Sequence, residues 1–141
     1  TKNNSNRFES RFTYLKVESS NNIFTKDMDG LAFGMWSSHG EGKIELEENT
    51  NNCKNSFPLK YIDYNGVPTE EYPHNPNGST NGVAAVSSSN GRHLAIMPHP
   101  ARSIFKWQLP YLNNNDNEKI SDYSPWISLF KNAHSWCSKQ N

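Results

Sequence analysis

His99 is the residue of this sequence best placed to carry proton-transfer chemistry. It lies between Pro98 and Pro100, directly after the run His93–Met97, whose residues predict a strand. Proline on both sides restricts the backbone, and α/β folds place functional groups beyond the carboxyl ends of their strands. A neutral imidazole near its ordinary pKa can take and return a proton at neutral pH. Spacing alone favours a plainer alternative, a histidine that caps a strand through one backbone hydrogen bond.

Two further segments could contact a ligand. The segment Ser38–Gly42 reads Ser-His-Gly-Glu-Gly, and its glycines would let the backbone pass close to a bound molecule and expose N–H groups to it. An ordinary strand-to-loop exit explains the same letters equally well. Arg7–Arg11 alternates charges around one aromatic residue. It could clamp a carboxylate through an arginine, but an exposed strand edge with paired charges is favoured.

Neither cysteine resembles an activated nucleophile. Cys53 lies in a polar stretch with only Lys54 to lower its pKa, and Cys137 falls on the predicted apolar stripe of a helix, where it would act as a small hydrophobic residue. The sequence contains no CxxC zinc spacing, no phosphate-binding GxxxxGK[ST] and no HExxH. Taken alone, the chain offers a base without a nucleophile.

Strands and one late helix must position these residues, which indicates an α/β domain. Ser124 followed by Pro125 predicts a helix start, and a stripe of residues at three- and four-residue spacing continues the helix to about Cys137. The stripe consists of Ile127, Phe130, Ala133, His134 and Cys137. Strands are predicted at Phe12–Val17, Leu31–Ser37 (buried on both faces), Lys60–Tyr64, Gly82–Ser87 and His93–Met97, the last two as an antiparallel pair.

Turns and loops separate these elements. Asn65-Gly66 and Asn90-Gly91 predict tight turns, and Tyr72–Ser79 is a loop punctuated by two prolines. Residues 1–6 are polar, and we expect them to be frayed. Glu45–Ser56 is expected to be a solvated helix or loop, and Asn113–Asn117 a linker.

The composition describes a folded domain with a small core and Asn-rich loops. The 141 residues fit one domain and include 20 Asn and 17 Ser, and hydrophobic residues make up only 33%. Fourteen basic residues balance fourteen acidic ones, so nucleic-acid binding and adhesion to a membrane surface are not expected. No apolar run is long enough to span a bilayer. The sparse cysteines favour a reduced, cytoplasmic setting.

Five segments in order resemble the C-terminal end of the phosphoribosylformylglycinamidine synthase family, within its class I glutamine amidotransferase domain. They are Asn6–Phe12, Ser38–Gly42, Tyr72–Ser79, Asn90–Pro100 and Ser124–Ala133. The resemblance covers residues 3–137. It implies the distal part of a flavodoxin-like α/β domain, with a mixed sheet, an antiparallel hairpin near the site and a C-terminal helix. Residues 1–141 would then be the C-terminal segment of that domain, after its nucleophile-bearing part.

The resemblance also implies a chemistry. In this family a cysteine on a strand-to-helix elbow attacks the side-chain amide of glutamine, and a histidine matched by His99 acts as its base and then as its acid. The loop around His39, Gly40 and Glu41 would contact glutamine through backbone groups. The ammonia would travel to a synthetase site, where ATP and Mg²⁺ activate formylglycinamide ribonucleotide. This segment itself would bind neither ATP nor metal, and its partners would be the synthetase and upstream amidotransferase segments of the same protein.

The chain departs from the family pattern in two ways. The Gly-x-Cys-x-Gly elbow is not in this sequence, and the family's His-Pro-Glu reads His99-Pro100-Ala101. Because the sequence lacks this nucleophilic cysteine and Ala101 cannot orient an imidazole as a carboxylate does, we expect this chain alone to be inactive. A decayed amidotransferase module that only docks on the synthetase is the alternative. A carbohydrate- or peptide-binding module, suggested by Trp107, Tyr111 and Trp126, is a third.

Overall fold

A five-stranded sheet and one helix make up the part of the fold that the structure describes. The computed structural model describes residues 1–46, 56–110 and 121–139. The strands are β1 (Glu9–Val17), β2 (Ala32–His39), β3 (Leu59–Tyr61), β4 (Val83–Ser87) and β5 (Leu94–Ile96), and the helix α1 spans Ile127–Ser138. Short 3₁₀ turns occupy Thr80–Gly82, Pro100–Arg102 and Lys106–Gln108. The predictions for Cys53, Tyr111, Asn113–Asn117 and most of Glu45–Ser56 fall on residues outside the described ranges.

The strands lie in the order β2-β1-β3-β4-β5, and every pairing between them is antiparallel. The predicted hairpin is therefore present as β4 and β5, joined through Asn90 and Gly91, where Gly91 takes a positive φ of 70°. A mixed sheet would also contain parallel pairs, and none occurs among the described strands. Asn65-Gly66 likewise forms a turn after β3, closed by the Ile62–Pro68 bridge.

The sheet curls until its two edge strands come close together. His99 follows β5 by three residues, yet its backbone N–H donates to the carbonyl of Trp36 in β2, at 2.7 Å. Three residues span at most about 10 Å, so the end of β5 lies near β2, at the opposite edge of the sheet. The segment after β5 thereby covers the free edge of β2, where the Ser103 hydroxyl also accepts from the Trp36 N–H at 3.1 Å. This crossing places His99 beside the end of β2.

Strand β2 differs from its prediction. It runs over Ala32–His39, two residues beyond the predicted end, and it is an edge strand rather than a central one. Met35, Ser37 and His39 are buried on one face, whereas the opposite face is only partly covered. The continuous apolar run predicted a strand buried on both faces. Part of that run instead packs against the segment after β5 and against Phe12, whose ring lies 5.3 Å from the ring of Trp36.

The core lies between the inner face of the sheet and the start of α1. It is formed by Leu15, Val17, Met28, Met35, Leu59, Tyr61, Ala84, Ala85, Trp126 and Leu129. Trp126 is completely buried, and its indole N–H donates to the carbonyl of Gly34 at 2.7 Å. The predicted cap at Ser124 is wrong by two residues: α1 begins at Ile127 with Trp126 at its N-cap, and the Ser124 hydroxyl accepts from the Trp126 N–H at 3.3 Å in the turn before the helix.

The predicted apolar stripe of α1 is wrong. Phe130 is 44% exposed, and His134 and Cys137 are exposed as well, so Cys137 does not act as a buried hydrophobic residue. The helix packs instead through Leu129 and the preceding Trp126, whose indole N–H bonds to the carbonyl of Gly34 in β2. No helix in the described part of the chain has the length and apolar character needed to cross a membrane.

Candidate functional site

His99 is fixed by its backbone and by one ring nitrogen. Its N–H donates to the carbonyl of Trp36, and its carbonyl accepts from the Arg102 N–H at 3.1 Å. Nε2 of the ring lies 3.2 Å from the carbonyl oxygen of Ser38, which can only accept, so Nε2 carries the proton. Nδ1 is then the basic nitrogen of the neutral ring, and it makes no hydrogen bond within the described part of the chain.

Ala101 lies in the exposed turn after His99. Gln108 braces this turn: its amide nitrogen donates to the carbonyl of Ala101 at 3.1 Å, and its amide oxygen accepts from the backbone of Ile104 and Phe105. Within the described ranges no carboxylate bonds to His99. The carbonyl of Ser38 is therefore the group that orients the ring here. It holds the Nε2–H tautomer, whereas a carboxylate on Nδ1 would impose the other tautomer.

His39 lies at the end of β2, next to Ser38, and is 8% exposed. Its Nε2 accepts from the amide nitrogen of Asn77 at 3.1 Å, and its Nδ1 is buried without a hydrogen-bond partner in the described ranges. Burial lowers the pKa of His39, and the proximity of His99 lowers it further, while Glu9 acts in the opposite direction. The ring is therefore neutral at physiological pH.

Asn3 holds the loop that follows β2. Its amide nitrogen donates to the carbonyls of His39 (2.7 Å) and Arg7 (2.9 Å), and its amide oxygen accepts from the Gly42 N–H at 3.0 Å. The Asn3 backbone N–H also donates to Gly40. With Asn3 only 1% exposed, the expectation that residues 1–6 are frayed is wrong. An amide side chain can pair with loop carbonyls and N–H groups at once, and composition does not reveal this.

The structure thus brings together His99, His39 and Gly40, whereas Glu41 is exposed. Arg11 pairs with Glu9 at 3.0 Å, as the paired-charge interpretation of Arg7–Arg11 requires. Among the described strands, this part of β1 pairs with β2 only, because β3 pairs with Leu15–Val17, but Glu9 is buried rather than exposed. The described residues contain no group of three or more His, Cys, Asp or Glu side chains that could hold a metal ion.

An open cleft of about 430 Å³ lies beside this site. It is lined by Ser10, Trp36, Ser37, Arg102, Trp107 and Gln108, of which Ser37 and Arg102 are near sequence neighbours of Ser38 and His99. Trp107 is 80% exposed and stacks on Phe105, with 6.0 Å between ring centroids. Trp126, which was grouped with it as an exposed aromatic, is completely buried, so the surface that suggested a carbohydrate- or peptide-binding module loses that member.

Asn75, Asn77 and Ser79 form a buried polar group that the sequence did not assign to the site. Asn75 accepts from the backbone of Gly78 and Ser79, and Asn77 contacts His39 directly. The signal available was the unusual punctuation of the loop Tyr72–Ser79, which identified a turn-rich segment but not its contacts.

Comparisons with known proteins agree with this architecture. A family model described as a CobB/CobQ-like glutamine amidotransferase domain matches residues 1–137. The chain is 42% identical to phosphoribosylformylglycinamidine synthase of Dictyostelium discoideum, a match covering 99% of this chain and 11% of that protein. It is 40% identical to the Homo sapiens protein of the same name, over 95% of this chain and 10% of that protein. A probable phosphoribosylformylglycinamidine synthase of Arabidopsis thaliana, described as chloroplastic/mitochondrial, is 41% identical, again over 95% and 10%.

The chain therefore spans about a tenth of the length of these relatives. The solved structure of PurLQS from Thermotoga maritima superposes with a TM-score of 0.65 at 20% identity, covering 96% of this chain and 51% of that one. This likeness shows the fold. The chain belongs to the CobB/CobQ-like glutamine amidotransferase domain family, and the class I amidotransferase fold predicted from its motifs is confirmed.

Proposed function

We propose that residues 1–141 are the distal segment of the glutaminase domain of a phosphoribosylformylglycinamidine synthase. The complete protein would hydrolyse glutamine and use the ammonia in the ATP-dependent conversion of formylglycinamide ribonucleotide to formylglycinamidine ribonucleotide. Matches of 40–42% identity to proteins of that name support the assignment. The observation that carries it is the His99 imidazole, held at the end of β2 by the carbonyl of Ser38 with one ring nitrogen left free.

In this proposal His99 is the acid and base of the reaction. It accepts the proton of a cysteine thiol supplied by an upstream segment, and the thiolate attacks the amide carbon of glutamine. The same proton then passes to the leaving nitrogen, which departs as ammonia, and water hydrolyses the thioester to glutamate. Backbone groups around His39, Gly40 and Glu41 would contact the glutamine. The buried hydrogen bonds that Asn3 and Asn77 make to this loop support such a role, because a binding loop must be held in one geometry.

ATP and Mg²⁺ are assigned to the synthetase part of the protein, on the strength of the resemblance. The other segments of the same polypeptide are its proposed partners. We place the protein in the cytoplasm, and imaging of the tagged protein tests this, since the similar plant protein is described as chloroplastic/mitochondrial.

A decayed module that only docks on the synthetase is the second candidate, and one observation favours it. Ala101 stands where the family has a carboxylate, and in the described ranges no other carboxylate bonds to His99. Loss of such an orienting group can lower the rate by roughly 10⁴-fold. Replacing Ala101 with Glu separates the candidates. Faster glutamate release would identify a weakened glutaminase, whereas no release from either protein would identify a decayed one.

The direct test measures glutamate release from glutamine by the intact protein. His99→Asn is expected to lower kcat by roughly 10²–10⁴-fold, the range that general acid–base groups contribute, while synthesis from added ammonia persists. His93→Asn is the matched control, because His93 is exposed at the start of the same hairpin arm. Equal glutaminase rates in the two variants would remove His99 from the mechanism.

A further inference from the structure

The side chain of Asn77 has a fixed orientation. Its amide oxygen accepts from the backbone N–H of Ser79 at 3.0 Å and from the Ser79 hydroxyl at 2.7 Å. Asn77 is completely buried, so solvent cannot replace these donors. The opposite end of the amide must therefore be its nitrogen, which lies 3.1 Å from Nε2 of His39 and 3.2 Å from the hydroxyl of Tyr61.

This orientation determines the protonation of His39. Because the amide nitrogen of Asn77 can only donate, Nε2 of His39 must accept, and the ring proton resides on Nδ1. Protonation of both nitrogens would place two donors against each other across 3.1 Å. Among the described residues, the charged and titratable groups around the ring are Glu9 on β1, whose carboxylate is paired with Arg11, together with Tyr61 on β3 and His99.

The strand end connects this contact to His99. Ser38 immediately precedes His39, and its carbonyl accepts from Nε2 of His99 at 3.2 Å. Displacing the His39 ring would move the strand end that carries this acceptor. The loop Tyr72–Ser79 has no other role in the proposed mechanism, yet two of its side chains, Asn77 and Ser79, are completely buried.

We propose that Asn77 is a positioning residue: it locks His39 in the neutral Nδ1–H tautomer and thereby fixes the carbonyl of Ser38 that orients His99. The kinetic consequence rests on the proposed glutaminase function, whereas the tautomer lock does not. Asn77 touches no reacting atom and acts through His39.

The first experiment is heteronuclear NMR of the intact protein with ¹⁵N-labelled histidine. The His39 signals, assigned by comparison with His39→Gln, are expected to show a proton on Nδ1 and none on Nε2. A proton on Nε2 would overturn the proposal. This measurement needs no variant of Asn77 and no enzymatic activity. It therefore tests the tautomer of His39 even in a protein that releases no glutamate, for which the proposed function fails.

The second experiment replaces Asn77 with Asp, which has the same shape and keeps the acceptor for Ser79. The new oxygen cannot donate to Nε2, so His39 must move its proton there or take a second one. We expect kcat/KM for glutamine to fall by at least about 10-fold while synthesis from added ammonia persists. Asn90→Asp adds the same charge at an exposed turn and should stay within about twofold of the parent.

A double-mutant cycle with His39→Gln tests whether Asn77 acts through His39. A glutamine at this position can rotate to accept from Asn or donate to Asp, so Asn77→Asp should cost less than about threefold in that background. Equal losses in both backgrounds would overturn the proposal. If Asn77→Asp does not fold, Ser79→Ala serves instead. This variant removes one donor to Asn77. It should lower kcat/KM by about 2–5-fold when His39 is present and should not lower it in the His39→Gln background. An unchanged rate, or the same loss with His39→Gln, would count against it.

Discussion

Replacing Asn3 with Ala should release the loop that follows β2. The side chain of Asn3 makes three hydrogen bonds, to the carbonyls of His39 and Arg7 and from the N–H of Gly42. Alanine removes all three. The backbone hydrogen bond from Asn3 to Gly40 can remain. The variant therefore removes only the side-chain hydrogen bonds and leaves the N-terminal segment in place.

The size of the effect follows from these contacts. Each hydrogen bond contributes about 1 kcal/mol net, and a buried donor left without a partner costs about 1–3 kcal/mol. The bonds to His39 and Gly42 lie in buried surroundings, and Gly42 would lose its acceptor. We therefore expect the free energy of opening the loop to fall by about 3 kcal/mol, or about two orders of magnitude in the opening equilibrium.

Hydrogen exchange measured by mass spectrometry on the intact protein reports this local opening directly. In Asn3→Ala, the amides of residues 38–42 should exchange about 100-fold faster than in the parent, with strands β3 and β4 unchanged. Asn21→Ala is the matched control, because its side chain makes one exposed bond, to Ser89 at 3.1 Å. Unchanged exchange over residues 38–42, or equal acceleration in the control, would refute the reasoning.

Two further predictions concern the same loop. In Gly42→Ala, the new Cβ would lie 2.1 Å from Cδ2 of His39, so the ring must shift and the thermal midpoint should fall by the equivalent of about 1–3 kcal/mol. Gly40→Ala, whose Cβ would meet only Phe8 at 3.7 Å, should change the midpoint much less, and equal shifts would contradict this packing. Because burial lowers the pKa of His39 below its ordinary 6.5, the unfolded chain binds that proton more readily, and stability is lost as pH falls below 6.5. Between about pH 7.5 and 5.5, the thermal midpoint of His39→Gln should therefore fall less than that of the parent. An equal fall in the two proteins would show that protonation of His39 does not cause this loss of stability.

Local signals in the sequence predicted the elements whose partners lie close along the chain. The β4–β5 hairpin followed from two short runs around Asn90-Gly91, and Ser124-Pro125 predicted the start of α1 to within two residues of Ile127. In both cases the determining interaction is made within a few residues, so it is visible in the letters. The rotation of α1 about its axis could not be predicted in this way, because the contact of Trp126 with Gly34 joins residues far apart in sequence.

His99 could be singled out from its two flanking prolines, but its partner could not. The carbonyl of Ser38 reaches it only because the sheet curls and the chain crosses from β5 to the edge of β2. A strand prediction gives no information on curvature, and an edge strand with a continuous apolar run resembles a central one. The same crossing covers the free edge of β2 with the segment after β5, so an edge strand here can carry a continuous apolar run.

The asparagines show why composition misleads in a domain with a small core. Their abundance indicated solvated loops, yet Asn3, Asn22, Asn75 and Asn77 are at most 2% exposed. Irregular backbone that is taken out of water needs both donors and acceptors, and a short amide side chain supplies both without a net charge. The residues that lower the mean hydropathy of this chain therefore include those that hold its loops against the sheet. A low hydropathy contributed by Asn can thus indicate loops that are fixed in place, which is the property that a site built from loop backbone requires.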